Sequence, residues 1–123
     1  MAGSFKQINN REDFQREVDR ARTLCAEFIK KKNDDPTLRS VDMQLEFIQG
    51  LLRSGRKPTR EERKSINMGY KMHRRFEEIH DDVEFFRFKG LISLLNLYIE
   101  YWPTDKLASD PDNERKIDWY MQL

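Results

Sequence analysis

Apolar residues recur along this chain at intervals of three and four, and no stretch alternates apolar with polar long enough to make a sheet. The clearest run is Leu38, Val41, Leu45, Ile48 and Leu52, which lies between Pro36 and Gly55. Because an α-helix turns once in 3.6 residues, side chains at this spacing stand above one another on one face. Such stripes leave water only by laying helix against helix. The expected fold class is therefore all-α, an antiparallel bundle of four main helices with a C-terminal tail. The presence of only three valines in 123 residues points the same way.

Local chemistry sets the expected boundaries. Phe14, Val18, Ala21, Cys25, Phe28 and Ile29 form the stripe of a first helix over about 11–32, capped by Asn10 and closed by Lys30, Lys31 and Lys32 at the negative end of its dipole. Asp35 and Pro36 open a second helix over 36–54, which Gly55 ends. Thr59 with Glu62 has capping-box spacing and predicts a third helix whose inner face is Ile66, Gly69, Tyr70, His73 and Phe76. Asp81 with Glu84 repeats that spacing ahead of Phe85, Phe86, Phe88, Leu91, Ile92, Leu94, Leu95, Tyr98, Ile99 and Trp102. Those residues cover most of a helix circumference, as the central helix of a bundle requires. Pro103 ends that helix, so the expected division is a bundle domain over 1–103 and a tail over 104–123. In the tail, Glu114 to Leu123 has the composition for one short helix carrying Ile117, Trp119, Tyr120 and Met121 back onto the bundle.

With 37% of residues charged, well above the roughly 25% usual for globular chains, these helices should have solvated outer faces. No apolar run approaches a membrane span, and Met1 to Asn10 has neither the apolar stretch nor the cleavage site of a signal peptide, so a cytoplasmic protein is expected. Cys25 is the sole cysteine, which excludes an intrachain disulfide and a multi-cysteine zinc site.

Candidate chemistry is sparse. Cys25 falls on the core stripe of the first helix, away from His73 and His80, so a nucleophile–base pair is not expected. Glu77 and His80 make a single Glu-x-x-His pair with Asp81, Asp82 and Glu84 nearby, but a di-metal bundle needs a second such pair on another helix. Gly50, Gly55, Gly69 and Gly90 are isolated, leaving no phosphate-cradling loop. The expectation is of a non-enzyme with no cofactor and no metal. Although the net charge is only +1, Arg53, Arg56, Lys57, Arg60, Arg63, Lys64, Lys71, Arg74 and Arg75 concentrate positive charge, interrupted by Glu61 and Glu62. That cluster supports an alternative reading as a small nucleic-acid-binding or regulatory bundle, which the bordering carboxylates disfavour. On a solvated helix face, Arg74 and Glu78 would pair at i,i+4.

The stretch Val41-Asp42-Met43-Gln44-Leu45-Glu46-Phe47-Ile48, followed after a short loop by Ile66-Asn67-Met68-Gly69-Tyr70-Lys71-Met72 and Phe76-Glu77, resembles the immunity proteins that protect bacteria from type VI secretion toxins with NAD(P)+ glycohydrolase activity. The similarity runs from about Asp35 to Trp102, and the tail from Pro103 to Leu123 departs from it. The resemblance implies a helical protein of the bacterial cytoplasm that binds a cognate toxin domain and plugs its nucleotide cleft, catalysing nothing. Since a cleft that holds phosphates is commonly basic, an acidic projection can take the ligand's place and speed encounter. Glu77, Glu78, Asp81 and Asp82, between the third and fourth helices, are the candidate partner-binding residues.

Overall fold

The computed structural model describes residues 8, 10–78, 82–100 and 102. Five helices occur among them: α1 (Arg11–Lys31), α2 (Pro36–Ser54), α3 (Arg60–Ser65), α4 (Met68–Arg75) and α5 (Val83–Glu100), with no strand among the described residues. The C-terminal tail and its expected short helix lie outside the described residues.

The helix ends follow the local signals. Asn10 Oδ1 accepts from the Asp13 amide at 2.8 Å to start α1, and Asp35 Oδ1 accepts from the Thr37 and Leu38 amides at 2.8 and 3.3 Å to start α2. Between them the chain reverses through Asn33 (φ 54°) and Asp34 (φ 63°), residue types that tolerate the left-handed region. Gly55 ends α2 at φ 71°, a conformation that disfavours any side chain.

Four helices close a ring. Cys25 Sγ donates to the Leu38 carbonyl at 3.4 Å, while Arg22 Nη1 donates to Gln49 Oε1 at 2.7 Å and Gln49 Nε2 to Asp19 Oδ1 at 2.6 Å. Positions on α1 thus fall as those on α2 rise, and the two are antiparallel. Lys71 to Ser40 and Arg75 to Asp35 set α4 antiparallel to α2 in the same way. Gly69 to Asn96 and the Phe76–Phe85 rings do so for α4 and α5, and Phe28–Phe88 with Phe14–Tyr98 for α1 and α5. The expected antiparallel bundle is therefore present, with the eight-residue α4 as its shortest wall.

The core is continuous through the ring. Phe28, Phe76, Phe85 and Phe88 form one aromatic block, with ring centroids 4.9 Å apart for Phe28–Phe85 and for Phe76–Phe85. Phe14, Tyr98 and Trp102 form a second block toward the other end, where the Tyr98 hydroxyl donates to the Ile8 carbonyl at 3.2 Å. All five residues of the α2 seam are buried, as is the expected α1 stripe apart from Ile29, which is partly buried against the core.

Three expectations are corrected. The third helix is not continuous: Ile66 is extended (φ −84°, ψ 107°) and Asn67 lies outside both helices, so the chain makes α3, a break, and α4. The break resets the helical phase, so that Met68, Gly69, Met72 and Phe76 face inward while Tyr70 and His73, expected inside, are exposed. Second, Phe86 on α5 is 55% exposed, because the buried face of α5 up to Leu95 is filled by Phe85, Phe88, Leu91, Ile92, Leu94 and Leu95, and Phe86 falls with Gly90, Ser93 and Leu97 on the less buried side. Third, the cap of α5 is Asp82, whose Oδ1 accepts from the Phe85 amide at 3.1 Å; the expected cap, Asp81, lies outside the described residues.

Leu45→Ala, which empties a fully buried seam position, is expected to cost about 2–5 kcal/mol of unfolding free energy. Met43→Ala, two residues away but 69% exposed, should stay within about 0.5 kcal/mol of the parent, with urea titration of both variants as the measurement.

Candidate functional site

The break before α4 is held from α2. Asn67 donates its amide to Gln44 Oε1 at 2.9 Å, and Gln44 Nε2 donates to Asn67 Oδ1 at 3.0 Å. The side chain of Gln44 thereby replaces helical partners that the chain gives up at this point. On the other side, Gly69 donates its amide to Asn96 Oδ1 at 2.9 Å, and a Cβ on Gly69 would stand 3.3 Å from Asn96 Cβ and 3.4 Å from Ser93 Cα. Gly69 therefore lets α4 approach α5 closely. Of the residues that carry the family resemblance, Leu45, Ile48, Gly69 and Phe76 are buried and Gln44 makes this clasp, so they build the scaffold, whereas Met43, Glu46, Phe47, Tyr70 and Glu77 are exposed.

The acidic turn sits at the end of α4. Glu77 and Glu78 follow the α4 C-cap Phe76 and are exposed, with no ion pair among the described residues. Asp82 is exposed too, but it is committed to capping α5, so it is not equivalent to the two glutamates. Asp81 lies outside the described residues. Sequence reasoning missed the exposed apolar side chains that follow these carboxylates in the chain: Val83 and Phe86, on the first turn of α5, are 59% and 55% exposed. The mount is firm. Lys89 Nζ donates to the Phe76 carbonyl at 2.7 Å, satisfying the end of α4, and Arg75 Nη2 donates to Asp35 Oδ2 at 3.0 Å, tying that same end to the α2 cap.

The nine-cation cluster is divided by the fold. Arg53 lies in the last turn of α2, Arg60, Arg63 and Lys64 lie on α3, and Lys71, Arg74 and Arg75 lie on α4. Arg56 is committed to Glu62 by two hydrogen bonds of 2.8 and 3.0 Å, and this guanidinium, with the Thr59 amide, holds the Glu62 carboxyl down at about 2. The expected Arg74–Glu78 pair is absent among the described residues because α4 ends at Arg75, and the helical i,i+4 geometry ends with it. Arg74 lies instead over the Tyr70 ring, 5.8 Å from its centroid.

Three recesses meet on the face formed by α2, α3, α4 and α5. One of about 530 Å³ lies between the start of α2 and α4, a second of about 390 Å³ between α2 and α3, and a third of about 420 Å³ between the Ile66–Tyr70 stretch and α5. Ser40, Ile66 and Tyr70 each line two of them, so the three adjoin.

Among the described residues no three histidine, cysteine, aspartate or glutamate side chains gather as metal ligands would, and His80 of the Glu-x-x-His pair lies outside them. No helix among the described residues is long and apolar enough to cross a membrane.

Cys25 is fully buried against Leu38, and burial pushes its thiol up to about 12, reinforced by Asp42 and opposed by Arg22. In the unfolded chain the thiol ionises near its ordinary value of 9.0, so from there to about 12 the folded state holds a proton that the unfolded state has lost. Stability should therefore fall through that window as pH rises, with a slope up to about 1.4 kcal/mol per pH unit steeper than in Cys25→Ala. Parallel denaturant titrations of the two proteins between pH 9 and 12 check the difference, and equal slopes would refute it. Compared with known protein families, with characterised proteins and with solved structures, the chain matches none.

Proposed function

We propose that this protein is an inhibitor that works by occupancy: an immunity protein of the bacterial cytoplasm that docks on a cognate secreted toxin domain and fills its nucleotide-binding cleft. The toxin chemistry that the family resemblance suggests is NAD(P)+ glycohydrolysis. The observation that carries this reading is the exposed Glu77–Glu78 turn, which has no ion pair among the described residues, together with Val83 and Phe86 exposed on the first turn of α5. Carboxylates can occupy the place of a dinucleotide's phosphates, and the two apolar side chains can bury against the cleft wall. Lys89 on the Phe76 carbonyl and Arg75 on Asp35 fix the end of α4 from which Glu77 and Glu78 follow.

Nothing need be transformed for such a protein to protect a cell. Nanomolar affinity corresponds to about −12 kcal/mol, which a standard interface of about 1,600 Å² supplies when an apolar centre is ringed by complementary charge. A cytoplasmic inhibitor would meet the toxin where its nucleotide substrate is found, and opposite charge on cleft and turn would accelerate the encounter.

The experiment is charge reversal on the turn with the α5 cap left intact. Glu77→Lys combined with Glu78→Lys should raise the dissociation constant for the toxin encoded in the neighbouring reading frame by about tenfold or more, with an unchanged circular dichroism spectrum. Most of the loss should appear as slower association at low salt. Unchanged toxin affinity in this double variant would reject the turn as the wedge, and an adjacent gene whose product is not inhibited would reject the immunity reading.

A further inference from the structure

We propose that the three-lobed recess centred on Tyr70 is a second docking surface, built for an acidic segment of a partner protein that carries an apolar or aromatic anchor. This goes beyond the inhibitory turn and rests on different residues. Of the five exposed large apolar side chains among the described residues, Met43 (69%), Tyr70 (63%) and Phe47 (38%) all line this recess. Met43 and Phe47 share one lobe and Tyr70 stands in the two lobes that adjoin it; apolar side chains grouped in this way are what a docking anchor fills, whereas scattered ones are ordinary surface.

Charge identifies the occupant. Lys71 and Arg74 line the largest lobe, and neither has a carboxylate partner among the described residues: Lys71 bonds the Ser40 hydroxyl and Arg74 lies over Tyr70. The nearby guanidiniums of Arg39, Arg56 and Arg75 are each held by a carboxylate. The rim therefore offers two uncommitted cations directly beside an apolar floor, which fits carboxylates flanking an anchor side chain. Glu62 lines the second lobe but is already bonded by Arg56 and the Thr59 amide. Glu100, in the third lobe, sets the direction, so the occupant's carboxylates lie toward Lys71 and Arg74 and away from α5. A nucleic-acid backbone fits less well, since phosphate tracking calls for a longer run of cations and base stacking for more aromatic platforms than this recess holds.

The walls are fixed before any partner arrives. The Gln44–Asn67 clasp holds the junction of the lobes, and the Gly69–Asn96 bond holds α4 on α5. Preorganisation of this kind lets a short segment bind without ordering its receptor.

The test titrates the full chain into a fluorescently labelled random copolymer of glutamate and tyrosine, with polyglutamate and oligothymidine as parallel probes. The copolymer should bind more tightly than polyglutamate. Lys71→Glu with Arg74→Glu should weaken its binding by about tenfold or more, and Met43→Ser with Tyr70→Ser by several-fold. Thermal unfolding of each variant checks its fold, and the single Met43→Ser variant serves should the double one unfold. Glu77→Lys with Glu78→Lys should leave copolymer binding no weaker, so failure of the inhibitory turn and failure of this surface are read separately. Absence of copolymer binding, or binding that ignores the Lys71, Arg74, Met43 and Tyr70 changes, would overturn the proposal. Tighter binding of oligothymidine through the same residues would overturn it in favour of a nucleic acid.

Discussion

The two-residue interruption at Ile66–Asn67 is the constraint from which the outward face of this molecule follows. Had the helix continued from α3, the apolar period would have turned Tyr70 and His73 inward. The extended Ile66 and the bonds between Asn67 and Gln44 restart it one phase later. Met68, Met72 and Phe76 then carry the burial of α4, while Tyr70, Arg74 and the glutamates beyond Phe76 face solvent. An eight-residue helix is too short to hold itself together in water. Its stability comes from α2 and α5, through the core and through polar ties at both of its ends.

The opposite side of the ring is held differently. Arg22 on α1 reaches Asp42 at 3.2 Å, Glu46 at 3.3 Å and Gln49 at 2.7 Å on α2, and Gln49 returns to Asp19. Apart from the buried Gln49 these groups are partly or largely exposed, so each ion pair contributes modestly, but together they fix the register of α1 on α2. The long pair α1–α2 thus forms a firm platform. The proposed binding features gather on α4, the first turn of α5 and the face of α2 that meets α3 and α4.

Much of this architecture was legible because caps and seams are local. Asn10, Asp35, Thr59 with Glu62, and Gly55 all act where their residue types place them. The interruption was not legible, because Ile66 and Gly69 stand three apart and keep helical spacing across it. What betrays it is Gln44, more than twenty positions away in sequence, and no local window contains both partners. Glu77 and Glu78 are exposed as read, whereas Phe86 looked like core because a helix apolar around most of its circumference does not say which side its neighbours leave open. Likewise Met43 and Phe47 sit off the α2 seam, and their shared recess exists only once α3 has folded beside them. The basic cluster, continuous in sequence, is parted by helix ends and by the pairs Arg56–Glu62 and Arg75–Asp35.

Because three buried side chains and one glycine contact hold α4 in place, its remaining surface positions are released from any duty to the core. Substitutions at Tyr70, His73, Arg74, Glu77 or Glu78 can alter recognition while the bundle stays intact, so related lineages could diverge in what they capture far faster than in how they fold. Such a scaffold can keep pace with an adversary that changes its own surface.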